Sequence, residues 1–380
     1  MLCKSDIIRK RFPALFAFFA LSFVLTAGAP VQQRLFVNGN GYPYFRIPAL
    51  IVTHRGTLLA FCEGRRGSSD TGNVDLVYRR STDGGATWSP LKVLADFGDD
   101  AIENATPVVD RQTGFVWLLL TANPGSINEA QIMEAKPPGT RTVWVTHSED
   151  DGLTWLPPKE ITQTTKRPDW TWYATGPGNG IQLRSGRLLI PCDHTDKGTK
   201  MMHSHVIYSD DHGKSWRLGG TAGSQTNESA IAELADGTLV LNMRSYSGQH
   251  LRAVSRSHDG GLTWTEPESD PALIEPVCQA SLVSYGSNTN VLLFSNPASQ
   301  KRERLTIRLS EDGGHTWKYA RVLYDGPAAY SSLAVLKDGT IGCLYERGRK
   351  NENEEITFAR FDLNWIKDGK DEPPCCRFDR

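Results

Sequence analysis

Apolar residues along this chain gather in short runs bounded by glycine and polar residues, as in Phe45–Val52, Leu58–Cys62, Val116–Leu120 and Val291–Phe294. No stretch sustains the period of about 3.6 residues that marks a long amphipathic helix. Short apolar runs fenced by turn residues read as strands, so the pattern predicts an all-β protein. The N-terminus departs from it. Lys4, Arg9, Lys10 and Arg11 precede an apolar segment, Phe12–Ala27, that ends in small residues. This layout predicts a secretory signal peptide over residues 1–29, and its apolar part falls short of the roughly 20 residues a membrane span needs. The expectation is a secreted or periplasmic protein without stable membrane insertion after cleavage. Its folded body would occupy residues 30–367, followed by a tail, 368–380.

Two repeats organise the body. The pattern S-x-D-x-G-x-x-W occurs five times, at Ser81-Asp83-Gly85-Trp88, Ser148-Asp150-Gly152-Trp155, Ser209-Asp211-Gly213-Trp216, Ser257-Asp259-Gly261-Trp264 and Ser310-Asp312-Gly314-Trp317. Each copy reads as a hairpin turn in which Asp bonds turn amides, Gly takes a strained φ and Trp packs beneath the next strand. A looser repeat precedes them, a glycine opening a strand with a polar residue seven positions on: Gly56 to Glu63, Gly114 to Thr121, Gly186 to Asp193, Gly237 to Arg244 and Gly339 to Glu346. A sixth copy runs from Asn288 to Ser295. Six copies predict a six-bladed β-propeller of four-stranded antiparallel blades. The segment near Leu35–Val37 should close the ring against the C-terminal strands around Phe358–Trp365.

Another strand precedes each of the looser repeats: Phe45–Val52, Asn104–Val109, Gly178–Leu183, Glu228–Leu234, Gln279–Tyr285 and Tyr330–Leu336. Hairpin strands are antiparallel, so the start of the first and the end of the second share one face of the disc. That face collects Arg46, Asn104, Glu228, Gln279 and Tyr330 with Glu63, Asp193, Arg244 and Glu346. Loops leaving the second strands add Asp70, His194 and Arg302, and the aspartate turns fall on the opposite face. Asp169–Gly178 reads as an aromatic loop on the collecting face, with Trp172 and Tyr173 candidates for ligand contact.

Lys+Arg number 42 against 43 Asp+Glu, a net charge of −1, which leaves no basic field for nucleic acid. The gathered arginines predict instead a local site for a carboxylate or phosphate, which guanidinium binds bidentately. His194, His203 and His205 match no metal-ligand spacing and no cofactor motif occurs, so neither metal nor cofactor is expected. Cys62, Cys192 and Cys343 lie in apolar runs and read as buried thiols, whereas Cys278, Cys375 and Cys376 are left open. The sequons at Asn104 and Asn227 fall on the collecting face and are expected to stay unmodified.

Phe45-Arg46-Ile47-Pro48 resembles the Tyr/Phe-Arg-Ile-Pro motif of the exo-α-sialidases, and the five aspartate turns are similar to that family's repeats. The resemblance runs from about Arg34 to Trp365. It implies a six-bladed propeller and hydrolysis of terminal α-linked sialic acid from glycoproteins, glycolipids or oligosaccharides. The family's carboxylate-gripping arginines map onto Arg46, Arg244 and Arg302, with Arg304 the neighbouring alternative for the third. Its acid/base maps onto Asp70, its tyrosine nucleophile onto Tyr330, the glutamate beside it onto Glu228, and the glutamate orienting the first arginine onto Glu346. Arg65 resembles an arginine that flanks the pocket, and Asn104 stands where some relatives carry an aspartate. The acid role requires Asp70 to be neutral in a poorly solvated position. Transfer of sialic acid to another sugar and a non-catalytic sialic-acid-binding propeller are the alternatives.

Overall fold

The computed structural model describes residues 28–137 and 139–369. Most of the expected signal peptide and the tail, with Cys375 and Cys376, therefore lie outside the described residues. Those described form an all-β fold with three helices of four or five residues.

The strands lie in four sheets, in which all neighbours but one pair antiparallel. The first runs Tyr44–Val52, Leu58–Arg65, Val74–Ser81, then Ala101–Val109, Val116–Asn123, Thr142–Ser148 and Lys159–Glu160. Its halves meet through one parallel pair, Val74 with Ala101. The second holds Trp170–Thr175, Leu188–Asp196, Met202–Ser209 and Arg217–Ser224, and the third Thr226–Glu233, Leu239–Ser245, Leu251–Ser257 and Glu268–Ile274. In the fourth, Tyr319–Val335 pairs through its N-terminal part with Glu303–Ser310 and through its C-terminal part with Ile341–Arg347. Glu355–Phe361 and then Val31–Val37 complete one side of that sheet, so the N-terminal strand closes on the C-terminal one as expected, and Leu292–Pro297 and Ser281–Ser284 complete the other.

The innermost strands are tied side by side in a closed circuit. Asn104 N donates to Glu63 Oε1 at 2.9 Å, Arg111 N to Gln182 Oε1 at 2.7 Å, and Arg184 N to Glu233 Oε2 at 2.9 Å. Ser284 Oγ donates to the Glu233 carbonyl at 3.0 Å, Leu333 N to Ser281 Oγ at 2.9 Å, and Leu50 N to Ser332 Oγ at 2.9 Å. Interior-facing Leu, Ile, Val, Phe and Ala fill the seams between neighbouring sheets, as where Leu50, Leu58 and Ala60 pack against Leu344 and Phe358. Cys62, Cys192, Cys278 and Cys343 are buried free thiols in this packing.

All five aspartate turns share one bonding scheme. Asp83 Oδ1 accepts from Ser81 Oγ at 2.7 Å and Thr87 N at 2.9 Å, while Oδ2 accepts from Thr87 Oγ1 at 2.6 Å. Ser81 Oγ in turn accepts from Gly85 N at 2.8 Å. The glycine is needed twice over. Gly85 has φ +90°, and a Cβ there would stand 2.2 Å from Phe358 on the neighbouring sheet. This turn therefore seals one sheet against the next. Its hydrogen bonds hold the Asp83 carboxyl down at about 2. A carboxyl depressed in the folded state contributes stability above its unfolded pKa and loses it as pH falls through the folded one. Asp83→Ala should therefore lower Tm by a few degrees at pH 7, and the Tm gap should shrink between about pH 4 and pH 2. Thermal melts across that range check it.

The third expected inner strand differs. Asp169–Gly178 is not a loop: Trp170–Thr175 is a strand pairing with Leu188–Asp196, and Gly178–Leu183 contributes only Ile181–Gln182. The aromatic and β-branched run Trp170–Thr175 has strong strand preference. Gly176-Pro177-Gly178 then interrupts pairing, because Pro177 lacks a donor and both glycines take positive φ.

Candidate active site

The face opposite the aspartate turns carries a pocket of about 160 Å³. Arg46, Glu63, Arg65, Asp70, Asn104, Glu228, Arg244, Arg302 and Tyr330 all line it. A larger cavity of about 660 Å³ lies elsewhere, among Ile51, Val108, Ile181, Leu282 and Leu333, and its Arg184 and Glu233 pair with each other.

Bulges aim the inner-strand residues. The register against the second strand shifts between Arg46 and Ala49, between Glu103 and Thr106, between Thr226 and Ser229, and between Ala328 and Ser331. An extra residue in a strand bends it and turns a side chain away from the regular alternation. In the first of these the cause is local: Ile47 adopts φ +60° and Pro48 has no N–H for the ladder. A β-branched residue at positive φ is strained, and it is held here because Ile47 N donates to Glu346 Oε1 at 2.8 Å.

Glu346 is fully buried behind the pocket. It accepts from Arg46 Nε at 2.7 Å and Nη2 at 3.3 Å, and from Tyr330 N at 3.1 Å. One carboxylate thus fixes both the first arginine and the tyrosine backbone. Tyr330 Oη donates to Glu228 Oε1 at 2.6 Å, and Arg244 Nη1 reaches Glu228 Oε2 at 2.7 Å and Tyr330 Oη at 3.3 Å. The guanidinium carbons of Arg46 and Arg302 lie 5.4 and 5.8 Å from the Tyr330 ring centroid. Burial and the adjacent Glu228 push the Tyr330 hydroxyl well above its ordinary value, against the opposing pull of Arg244 and Arg302. The hydroxyl is therefore protonated at rest, with its proton directed at a carboxylate. Arg304 lies outside this lining and pairs with Asp325 at 2.9 Å, so geometry separates it from Arg302.

Asp70 departs from expectation. Its side chain is 60% exposed and forms an ion pair with buried Arg65, rather than occupying a poorly solvated position. Partial burial raises its carboxyl, but Arg65, Arg46 and Arg141 outweigh that and hold it below the ordinary value. The cause is Arg65, which Glu63 clamps from behind through Nε at 2.9 Å. Asn104, at φ +58°, donates through Nδ2 to Thr121 Oγ1 at 3.1 Å. Asn104 and Asn227 are each 8% exposed, which leaves little room for a glycan. Trp172 reaches the pocket, whereas Tyr173 is buried in the core. His194 and His205 are buried beside Trp170, His194 stacked on its ring and His205 tilted against it, with Nδ1 atoms 3.0 Å apart, and burial pushes both down.

Glu103, Glu129, Arg141 and Tyr246 also line the pocket without having been singled out by sequence. Arg141 immediately precedes the third strand Thr142–Ser148, whose start shares the face on which second strands end. Glu129 opens a short helix capped by Asn128 and Gln131, a capping-box pattern legible in the chain.

The chain matches the family model described as a BNR repeat-like domain over residues 56–343. It is 37% identical to a sialidase of Bacteroides fragilis over 80% of this chain and 60% of that protein. It is 36% identical to a sialidase of Micromonospora viridifaciens over 90% of this chain and 56% of that protein. An exo-alpha-sialidase of Arthroderma benhamiae is 32% identical, with 90% of this chain and 89% of that protein covered. The chain belongs to the sialidase family. Among sialidases of known structure, the Hadza microbial sialidase Hz136 superposes with a TM-score of 0.81 at 32% identity, over 88% of this chain and 69% of that one. A leech intramolecular trans-sialidase has a TM-score of 0.76 at 20% identity over 90% and 71% of the two chains, a likeness of fold alone. The chain spans little more than half the length of the Bacteroides and Micromonospora sialidases.

Proposed function

We propose that this sialidase-family chain is an exo-α-sialidase, a glycoside hydrolase that removes terminal α-linked sialic acid from glycoproteins, glycolipids or oligosaccharides with retention of configuration. The observation that carries the reading is the Tyr330–Glu228 hydrogen bond of 2.6 Å set among Arg46, Arg244 and Arg302. The paired-strand pattern and the closed circuit of inner-strand hydrogen bonds support a six-bladed propeller as its frame. The basic and apolar N-terminal sequence supports export.

Sialic acid carries a carboxylate on its anomeric carbon, so a carboxylate nucleophile would approach against like charge. A neutral tyrosine avoids that repulsion, the exception known among retaining glycosidases. Tyr330 Oη attacks the anomeric carbon while Glu228 accepts its proton, and Asp70 protonates the departing glycosidic oxygen. Water then attacks the same carbon, losing its proton to Asp70, and Tyr330 leaves with the proton returned by Glu228. Two inversions give retention. The arginines hold the carboxylate and so position the ring for attack. The presence of Tyr330, Glu228 and Asp70 in one pocket favours this reading over a non-catalytic binder.

The test is release of a fluorogenic aryl group from its α-sialoside by the full chain, with the anomer formed first followed by NMR. Turnover yielding the α anomer is expected. Initial release of the β anomer would overturn the tyrosyl route, and cleavage of neutral glycosides alone would overturn the activity. Arg46→Ala should raise Kd for free sialic acid about 10-fold or more, because a charge-assisted bidentate grip is lost and buried Glu346 is left unpaired. Calorimetric titration checks it, and an unchanged Kd would remove Arg46 from the carboxylate site.

A further inference from the structure

The three arginines assigned to the sugar carboxylate are held in different ways. Arg46 is hydrogen-bonded through two nitrogens to fully buried Glu346, and Arg244 to Glu228 and Tyr330. The Arg302 side chain makes no hydrogen bond among the described residues. The one carboxylate within ion-pair distance there is Glu352, whose Oε1 lies 3.8 Å from Nη1, beyond hydrogen-bond reach. The Arg302 side chain is 30% exposed, against 12% for Arg46 and 15% for Arg244. The third arginine is therefore the loosest of the three.

Glu352 sits in the loop joining Ile341–Arg347 to Glu355–Phe361, which follows Glu346 on the pocket face. That loop is built around a different glutamate. The Glu354 carboxylate accepts from Arg349 N at 3.1 Å, Lys350 N at 2.8 Å and Asn351 N at 3.3 Å. Tyr324 Oη donates to the Gly348 carbonyl at 2.6 Å, and Asn38 Nδ2 to the Asn353 carbonyl at 2.7 Å. A Cβ at Gly348 would stand 1.9 Å from the Asn351 carbonyl oxygen, so the loop closes tightly on itself. Glu352 takes no part in this scheme. Among the described residues its carboxylate accepts no hydrogen bond, and its charged partner is Arg302. A braced loop thus presents a carboxylate that acts on one gripping arginine and serves no other contact.

A guanidinium carries five N–H donors and can face two carboxylates at once. When the sugar carboxylate binds Arg302, that carboxylate and Glu352 become like charges on one guanidinium, and their repulsion opposes the grip. Resting on the sialidase reading, we infer that Glu352 is a positioning residue that tethers Arg302 in the empty pocket and competes with the sugar carboxylate for it. The released sugar bears the same carboxylate, so the competition also eases its departure. Glu346 and Glu228 have further work at Tyr330, whereas Glu352 has none, so its charge can be removed without touching the nucleophile.

The experiment titrates free sialic acid into the full chain and into Glu352→Gln, which keeps the size of the side chain and removes its charge. Kd should fall about 3- to 10-fold in the variant at low salt. The gain should shrink at about 0.5 M salt, where screening acts over roughly 4 Å. KM for an aryl α-sialoside should fall in step, and Glu352→Ala should tighten binding as well. A residue that only braced the loop could lower Tm or loosen binding on removal, but its loss would not tighten the grip on an anion. An unchanged or raised Kd in the folded variants overturns the inference, and leaves the sialidase reading intact where the wild type binds and cleaves. A folded wild type that neither binds sialic acid nor cleaves the sialoside overturns both.

Discussion

Tyr330→Phe is expected to reduce sialoside turnover by about 10³-fold or more while leaving the affinity for free sialic acid within a few-fold of wild type. The two effects separate because the hydroxyl and the ring do different work. The hydroxyl is the attacking atom, 2.6 Å from the carboxylate that takes its proton, and phenylalanine has nothing to replace it. The ring carries the packing, with Ile47, Cys278 and Ala329 around it and Arg46 and Arg302 over it. Phenylalanine keeps those contacts. Glu228 loses one donor but retains Arg244 at 2.7 Å, so no carboxylate is left buried alone. Initial rates with an aryl sialoside, together with calorimetric titration of sialic acid, check the pair of outcomes. Full turnover in a folded variant would sink the nucleophile assignment, and loss of binding with turnover would show that Tyr330 shapes the pocket rather than reacts.

Much of this site was legible because topology and repeat spacing act together. The looser repeat works as a ruler: Gly56, Gly114, Gly186, Gly237 and Gly339, with Asn288, all take positive φ at the turn, so the residue seven positions on lands at the same height on each second strand. The spacing alone thus puts Glu63, Asp193, Arg244 and Glu346 on one face. The aspartate turns were equally readable, since Ser, Asp and Gly each satisfy one part of the same hydrogen-bond scheme. The bulges were not. Regular alternation cannot turn both Arg46 and Ile47, or both Glu103 and Asn104, toward one pocket, and the positive φ at Ile47 and Asn104 does so. Glu103 was missed for this reason. Arg141 stands at the start of a third strand, which a ruler for the ends of second strands does not reach. The Asp70 environment depends on a contact from Arg65, at the end of its strand, to Asp70 in the loop that follows, which no spacing rule encodes.

That contact sets up the second large effect. Asp70→Ala should reduce kcat about 10²- to 10⁴-fold on substrates whose leaving group is another sugar, and much less on an aryl sialoside. A sugar alkoxide is a poor leaving group and needs a proton as the bond breaks, whereas a phenolate leaves with little help. In the resting protein Arg65 holds the Asp70 carboxyl ionised, the wrong form for an acid. Binding of substrate covers the exposed carboxylate and brings a second anion into the pocket, and both effects raise the affinity of Asp70 for a proton. The required form is the protonated one, so its fraction falls as pH rises. Rates that depend on it should therefore decline on the alkaline side, with the limb in kcat at higher pH than the limb in kcat/KM, because the first reports the complex and the second the free enzyme. Asp70→Ala should abolish the kcat limb for the sugar leaving group. Equal losses on the two classes of leaving group would mean that Asp70 holds the ring through Arg65 rather than delivering the proton.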